Sequence, residues 1–358
     1  MKRFSLVAAS LILTSNLVAA DNNFDTAVSS GTVNADVTLY GEKQSNSGSN
    51  KDSGFTSGSV GLGYETGSYY GFKANVGFRA NHDFSEVEEG DYGEDSKSIL
   101  HTANISYTNE YFGLSVGRQE IDLEWMGDYH EAAVLGITAI PNTTVILGYS
   151  NRIAVADVDA ALEDFDKFNG DDGAYVLDIK YEGFDGFVIN PYYYDANNLA
   201  SWYGLKADYD NNMFGLTLHG ASSSEDTMDD GDIVHFEART SISDLSLALG
   251  YITTDNSAGA GSMASIGDNI SPFEDGNQVY EADADTTYLS LGYEINGFEL
   301  GALYGQTDYS NDKENELNLS ADYGLTDHLT VGALFVDVDA EDGDDDYNRL
   351  ALTLQYSF

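Results

Sequence analysis

The amino-acid sequence predicts an all-β protein, a single closed antiparallel transmembrane β-barrel of about eighteen strands. Three observations support this fold class. Apolar and polar residues alternate along short segments throughout the chain, aromatic residues flank the turns that join these segments, and short connections alternate with mostly longer, acidic ones. Alternation with period two is typical of strands that separate two different environments.

The N-terminus predicts export from the cytoplasm. Lys2 and Arg3 precede a mostly apolar stretch that ends in small residues at Ala19 and Ala20. This pattern is typical of a secretory signal peptide, here residues 1–20, and the stretch is too short and too interrupted by Ser and Asn to span a bilayer. The alternative is a buried N-terminal helix of a cytosolic protein. Residues 21–358 are expected to form one barrel domain without an internal boundary.

Composition and charge narrow the class further. The chain has no cysteine, so neither disulfides nor thiolate metal sites are expected. The formal net charge is −46, and it becomes −48 when Lys2 and Arg3 leave with the signal peptide. Such a chain repels DNA and RNA, so nucleic acid is excluded as a partner. No long apolar run follows the signal, so no transmembrane helix is expected.

Alternating segments recur along the whole chain. Leu350, Leu352 and Leu354 share one face of the last segment, while Arg349 and Thr353 lie on the other. One such segment also fits a soluble β-sandwich, so the prediction of a barrel depends on the repetition. Strands are predicted to begin near Thr32, Phe55, Tyr70, Ser98, Tyr111, Glu131, Thr143, Ala174, Phe187, Leu199, Phe214, Asp232, Leu245, Thr286, Phe298, Glu314, Leu329 and Arg349.

The connections predict an asymmetric barrel. Short turns rich in Asn, Asp and Gly suit periplasmic hairpins, and the aromatic residues beside them suit a membrane interface. These aromatic residues recur as a Tyr followed five positions later by a Phe: Tyr107 and Phe112, Tyr209 and Phe214, Tyr293 and Phe298. The longer, acidic connections are expected to be external: 42–54, 83–97, 119–130, 153–173, 253–285 and 339–348.

A barrel of this width is too large to be filled by its own wall side chains, so its lumen is expected to hold water. Lipid requires closure, because unpaired edge N–H and C=O groups each cost several kcal/mol in hydrocarbon. The positions predicted to face the lumen are mostly polar: Lys180, Lys206, Asp208, His235, Glu237, Arg239, Asn318, Ser320, Asp322, Arg349, Thr353 and Gln355.

Other chemistry has little support in the sequence. The acidic segments 164–172 and 337–346 hold oxygen ligands of the kind that Ca²⁺ prefers, but they lack the spacing of an EF-hand loop. Solvated external loops, with divalent ions as a bridge to lipopolysaccharide left open, are favoured instead. The six histidines are scattered without a supporting motif, so neither catalysis nor a cofactor is predicted.

The segment Phe112-Gly-Leu-Ser-Val-Gly-Arg-Gln119, the strand number and the terminal Phe358 resemble outer-membrane porin D-like (OprD-like) channels. The resemblance covers about residues 24–358. It implies that the loop after the fifth strand, here 119–130, folds into the lumen. It also implies a ladder of basic residues that guides carboxylate substrates, of which this chain keeps scattered inward basic residues: Arg118, Arg152, Lys180, Lys206, Arg239 and Arg349.

Loop 119–130 is the predicted constriction. It carries Glu120, Asp122, Glu124 and Asp128, and Glu131 follows it. If the loop folds inward, these carboxylates are expected to face Arg118, Arg152 and Arg349 across a narrow aqueous gap, and opposed charges of this kind orient polar solutes. The alternative is an external loop that never enters the lumen.

The predicted function is an outer-membrane porin for passive diffusion of ions and small polar solutes, with a modest cation preference that weakens as salt rises. A non-channel surface or adhesion barrel and a soluble secreted β-protein are the alternatives. Expected partners are outer-membrane lipid, lipopolysaccharide and the barrel assembly machinery, which would read Tyr356 and Phe358 on the last strand. A homotrimer is left open.

Overall fold

The computed structural model describes residues 23–93, 96–211, 213–310, 312–340, 343 and 345–358, so the predicted signal peptide lies outside the described residues. These residues form one 18-stranded antiparallel sheet. A short helix, α1 (Phe24–Ser29), precedes it. The strands are β1 (Thr32–Asn46), β2 (Ser53–Glu65), β3 (Phe72–Glu86), β4 (Ser96–Thr108), β5 (Phe112–Glu120), β6 (Tyr129–Ile137), β7 (Thr143–Ala154), β8 (Ala174–Phe184), β9 (Phe187–Ala196), β10 (Ala200–Asp210), β11 (Phe214–Glu225), β12 (Gly231–Ile242), β13 (Leu245–Thr254), β14 (Asp285–Ile295), β15 (Phe298–Tyr309), β16 (Asp312–Gly324), β17 (Leu329–Ala340) and β18 (Tyr347–Ser357).

The sheet closes on itself by pairing β1 with β18. The register runs from Asp36 opposite Ser357 to Asn46 opposite Tyr347, and the Phe358 amide donates to the Ala35 carbonyl at 2.9 Å. Closure gives the edge N–H and C=O groups of the first and last strands a partner, which a hydrocarbon environment requires. The predicted closed barrel is confirmed, and each predicted strand start lies within two residues of an observed one.

The two faces of the wall differ as the alternation predicts. On β18, Leu350, Leu352 and Leu354 are exposed on the outside, whereas Ala351 between them is 3% exposed and faces inward. Among the described residues, no helix is long and apolar enough to cross a membrane. The exposed apolar side chains of the strands form an outer band, and a band of this kind is the surface that lipid covers in a membrane barrel.

Aromatic rings form a rim at the short-turn end of the barrel. Most of them pair with a ring on the neighbouring strand, as Phe298 does with Tyr323 at 4.4 Å between ring centroids and Phe187 with Tyr209 at 4.7 Å. Tyr107 contacts Phe112 across its own turn at 5.7 Å. The β14–β15 turn has positive φ at both Asn296 and Gly297, as a tight hairpin between right-twisted strands requires.

The opposite end carries the longest connections, together with several short ones. Residues 155–173 join β7 to β8 and residues 255–284 join β13 to β14, and these are the longest connections in the chain. By contrast, three residues join β9 to β10 and two residues join β15 to β16 at the same end. The predicted difference in connection length between the two ends is therefore concentrated in a few loops. The position of those loops determines the shape of the lumen.

Candidate functional site

Loop 121–128, between β5 and β6, lies inside the barrel. Trp125 and Met126 are 0% and 1% exposed. The Trp125 indole Nε1 donates to the Tyr192 hydroxyl of β9 at 2.8 Å, and Lys206 of β10 contacts Glu124 at 2.8 Å. Both wall side chains point inward, because their neighbours Tyr193 and Leu205 are exposed on the outer face. The loop is thus packed against the inner wall at β9 and β10.

Loop 255–284 also lies in the lumen and reaches from one wall to another. Near its start, Ser262 donates to Glu225 of β11 and accepts from the Trp202 indole of β10. At its far end, the backbone N–H groups of residues 274, 275 and 276 donate to the buried Glu316 carboxylate of β16. Arg349 of β18 pairs with Asp275 beside this anchor. Residues 253–285 were expected to form an external loop, but these contacts show that the segment folds inward.

The two loops contact each other at the middle of the lumen. The Gly127 amide donates to the Ile266 carbonyl at 2.9 Å, and the Asn269 amide donates to the Asp122 carboxylate at 2.9 Å. Gly267 has a φ of +128°, and a Cβ there would lie 2.2 Å from the Gly127 nitrogen. The backbones can approach this closely because Gly267 carries no side chain.

An apolar core forms where the loops meet the wall. Its members come from loop 121–128, from loop 255–284 and from the inward face of β6–β15. They are Ile121, Leu123, Trp125, Met126, Ala132, Val134, Ile146, Ala174, Val176, Tyr192, Tyr194, Ala196, Ala200, Trp202, Ala221, Ile233, Ile252, Ala260, Met263, Ile266, Ile270, Phe273, Val279, Tyr288 and Leu303. The sequence does contain a signal for the burial of loop 255–284. Apolar residues recur within this mostly polar loop at positions 263, 266, 270, 273 and 279.

Loop 155–173 covers the other side of the barrel. Leu162 and Phe165 pack on Ile99 of β4, and Lys97 contacts Asp164 at 3.1 Å. The Asn81 amide of β3 donates to the carbonyls of residues 157 and 160, both at 2.9 Å. This loop, too, was expected to be external and solvated, but its apolar side chains are buried.

A cavity of about 420 Å³ remains on the β1–β8 side. Hydroxyl and amide side chains such as Thr102, Asn104 and Ser106 line it, together with the pair Lys73–Glu65 and with apolar side chains of β6–β8 and loop 121–128. Glu120 at the end of β5 and Asp122 of the loop also line the cavity. The cavity therefore combines a polar strand wall with the acidic edge of loop 121–128.

The predicted opposition between loop carboxylates and wall arginines is not what the structure shows. Arg118 and Arg152 both contact Glu131, at 2.9 and 3.5 Å, and Glu131 is on a strand that adjoins theirs. Arg118 also lies 4.2 Å above the Phe165 ring. These arginines bind the acid closest to them in the sheet register, because β5, β6 and β7 are consecutive strands. Arg349 likewise pairs with Glu42 and Asp275, and not with loop 121–128.

Three further predicted basic residues differ in their surroundings. Lys206 binds the loop acid Glu124, the one arrangement of the predicted kind. Arg239 contacts Asp210 at 3.5 Å and Glu237 at 3.6 Å. For Lys180, the described residues show neither a hydrogen bond nor an ion pair, and it is half-buried on β8 two residues after Asp178.

Glu120 and Asp128 are exposed at the two ends of loop 121–128, close to Asp157 of loop 155–173. The Asp157 side chain is also exposed to water, yet protein encloses it on several sides. The pKa of Asp157 is raised from 3.8 to about 6. The larger cause is this enclosure, which disfavours the charged form, and the nearby carboxylates of Asp128 and Asp159 add to it. These acids form a negatively charged cluster beside the cavity.

At the end of the last strand, the Tyr356 and Phe358 rings lie 4.7 Å apart and are exposed on the outer face.

In the described part of the chain, no group of three or more His, Asp or Glu side chains is placed to hold a metal ion.

A closed 18-stranded barrel with an apolar outer band and a cavity inside defines the class of outer-membrane channels. Residues 8–346 match the family model described as Gram-negative porin, and the chain belongs to this family. The family consists of outer-membrane channels without enzymatic activity.

Solved structures share the fold at low sequence identity. OpdO of Pseudomonas aeruginosa has a TM-score of 0.79 at 14% identity, with 93% of this chain and 98% of that chain covered. OccAB4 of Acinetobacter baumannii has a TM-score of 0.77 at 14% identity, covering 92% and 98%. OccK8 (OprE) of P. aeruginosa has 0.76 at 11%, covering 93% and 99%. The expected resemblance to OprD-like channels is confirmed. No curated protein sequence matches the chain significantly.

Proposed function

We propose that the protein is a water-filled channel for passive diffusion of ions and small polar solutes, with a modest preference for cations. The observation that carries this proposal is the pairing of the inward basic residues. Arg79, Arg118 and Arg152 each contact a carboxylate, and so do Lys206, Arg239 and Arg349. Most of the positive charge that would attract anions is therefore neutralised within the wall.

The acids around the cavity are less fully compensated. Glu120 and Asp157 are exposed, and among the described residues neither of them has an ion pair with Lys or Arg. A water-filled passage lined by one sign of charge concentrates the opposite ions. The acidic external loops add to this at the entrance, where screening over about 8 Å at physiological salt limits their reach. We therefore expect the preference for cations to weaken as salt rises.

The test is single-channel recording of the purified mature protein in a planar bilayer, with reversal potentials measured in a KCl gradient. We expect ohmic conductance and a reversal potential that indicates K⁺ over Cl⁻ at low salt. Clear anion preference at low salt would contradict the proposed cation preference and would favour a channel for carboxylate substrates. Absence of conductance from correctly folded barrels would instead favour the surface or adhesion barrel.

The remaining partners are proposals of the same kind. The acidic segments predicted to be external, such as 339–348, would meet lipopolysaccharide through divalent cations, and subunits would associate through the apolar band if a homotrimer forms. Residues 1–20 would direct export as a signal peptide.

Tyr356 and Phe358 would be read by the barrel assembly machinery, since their rings end the outward face of β18. Deletion of Phe358 should lower the amount of protein in the outer membrane. Quantitative immunoblotting and heat-modifiable electrophoretic mobility measure this, with Phe358→Tyr as the conservative control. Unchanged levels of heat-modifiable protein would contradict the proposed role.

A further inference from the structure

Two consecutive residues of loop 121–128 enter a buried polar pocket in the wall of β9–β11. The Glu124 carboxylate accepts from Lys206 of β10 at 2.8 Å, and the Trp125 indole donates to Tyr192 of β9 at 2.8 Å. Trp125 is fully buried, and Glu124 is 8% exposed. Because adjacent side chains point in different directions, these two contacts hold the loop at two separate points.

The hydrogen bonds around Tyr192 have one consistent direction. Its hydroxyl oxygen accepts from Trp125, so its single hydrogen is available for the His219 Nε2 of β11, which lies 2.6 Å away. A neutral His219 then carries its own hydrogen on Nδ1. That nitrogen lies 4.0 Å from Glu124 Oε2 and has no hydrogen-bond partner among the described residues. These polar groups therefore form a series that runs from Trp125 through Tyr192 and His219 and ends beside the Glu124 carboxylate.

The Glu124 carboxylate depends on Lys206 as its counter-ion. Its Oε2 atom is buried without a hydrogen bond, so Oε1 and Lys206 supply the one ion pair that Glu124 makes with a lysine or arginine of the described chain. A buried carboxylate that loses its counter-ion is strongly disfavoured, and it regains hydration if it moves into water. For Glu124, the nearest water is in the lumen, and this movement would take the loop with it.

We propose that Lys206 and Tyr192 are positioning residues that hold loop 121–128 against the wall and thereby set the conductance and ion selectivity of the lumen. This inference rests on the channel function proposed above. Asp122 lies two residues before Glu124, lines the cavity and accepts from Asn269 of loop 255–284. The place of Glu124 therefore determines where the acidic edge of the loop stands in the cavity.

The first test compares two variants that each remove one inward positive charge. Lys206→Met leaves Glu124 without its counter-ion, whereas Lys180→Met removes a lysine for which the described residues show no ion pair. Both should shift the permeability ratio slightly toward cations. Lys206→Met alone should also raise open-channel current noise by about threefold or more, as the released loop moves within the lumen. Lys206→Arg keeps the charge and should restore quiet currents.

The second test removes both charges. The double variant Glu124→Gln with Lys206→Met has no buried charge to release, so its noise should return close to that of the unmodified channel. Tyr192→Phe keeps the ring and loses both hydrogen bonds. We expect its current noise to lie between that of Lys206→Met and that of the unmodified channel. Tyr203→Phe, on the exposed outer face of β10, is its control and should stay quiet. Heat-modifiable mobility checks that every variant is folded.

The outcomes separate this proposal from the one on which it rests. An unmodified protein that gives no conductance overturns the channel function itself. If the unmodified channel conducts, equal noise in Lys206→Met and Lys180→Met overturns the positioning role. Noise that persists in the double variant overturns it as well, because the unpaired charge would then not be the cause.

Discussion

The inner wall of the barrel has two arcs of different chemistry. On β1–β5 the buried inward side chains are mostly polar, as with Thr38, Ser59 and Asn81. On β9–β15 apolar and polar side chains are buried in similar numbers, and the apolar ones include Trp202 and Ile252, both 0% exposed. The β1–β5 arc borders the cavity and is partly covered by loop 155–173, while loops 121–128 and 255–284 cover the β9–β15 arc. The strands of both arcs have the same geometry, so the inward side chains decide where water remains.

This difference explains why loops 121–128 and 255–284 pack on the β9–β15 arc. Apolar surface is stabilised by removal from water at about 25 cal/mol per Å², so a loop with apolar residues gains by packing on the β9–β15 arc. The β1–β5 arc has hydroxyl, amide and charged groups, which lose hydration under a loop unless the loop supplies hydrogen-bond partners, as the carbonyls of residues 157 and 160 do for Asn81. Water and acidic side chains are therefore left on that side.

The largest expected effect comes from removal of the covering loop. Replacement of residues 258–279 by a short Gly-Ser linker should raise single-channel conductance by about twofold or more, because the crossing segment no longer obstructs the lumen. Deletion of residues 226–229, an exposed turn between β11 and β12, is the matched control and should leave conductance unchanged. Equal conductance in the two variants would show that the loop does not limit the passage.

A second prediction compares the stability contributed by each arc. Trp202→Ala should lower the free energy of unfolding by about 3–5 kcal/mol, since it leaves a cavity between the wall and loop 255–284. Thr102→Val, on the cavity side, should change it by less than about 1 kcal/mol. Urea-induced unfolding in detergent or lipid, followed by tryptophan fluorescence for Thr102→Val and by electrophoretic mobility for both, measures the difference. Equal losses would remove the distinction between the arcs.

The smallest expected effect is a pH dependence on the polar side. The pKa of Asp157 is raised to about 6, so its charge is lost as pH falls from 7 to 5. Cation preference should fall over that interval, and Asp157→Asn should reduce both the preference at pH 7 and its pH dependence. Reversal potentials at fixed low salt measure both quantities, with Asp164→Asn as a control because Asp164 already pairs with Lys97.

The same raised pKa has a defined sign for stability. The folded protein binds this proton more tightly than the unfolded chain does, so the contribution of Asp157 to stability is fully present below pH 3.8 and is lost as pH rises through about 6.

For the selectivity prediction, a cation preference that is identical at pH 5 and pH 7 would contradict the position of Asp157 beside the passage.

The sequence was sufficient for the barrel wall because wall residues are specified locally. Alternation over ten residues, as from Arg349 to Phe358, shows which face meets lipid, and Asn-Gly at 296–297 marks a hairpin. Strand number and closure follow from the repetition of these signals. The same reasoning predicted the inward orientation of Lys206, Arg239 and Arg349, since side-chain direction in a strand depends on position alone.

The contents of the lumen were decided by tertiary structure. Met263, Ile266 and Phe273 are buried in one cluster with Trp202 of β10, Ile252 of β13 and Tyr288 of β14, and Trp202 is far from them in the sequence. Likewise, Arg118 and Arg152 pair with Glu131 through the register of three strands, and not with the loop acids that an inward fold of loop 119–130 was expected to place opposite them. Local alternation determines the wall because a strand needs only its own pattern to choose its faces. Loops that lack such a pattern take their place from contacts between residues far apart in the chain, and these contacts exist only once the barrel has closed.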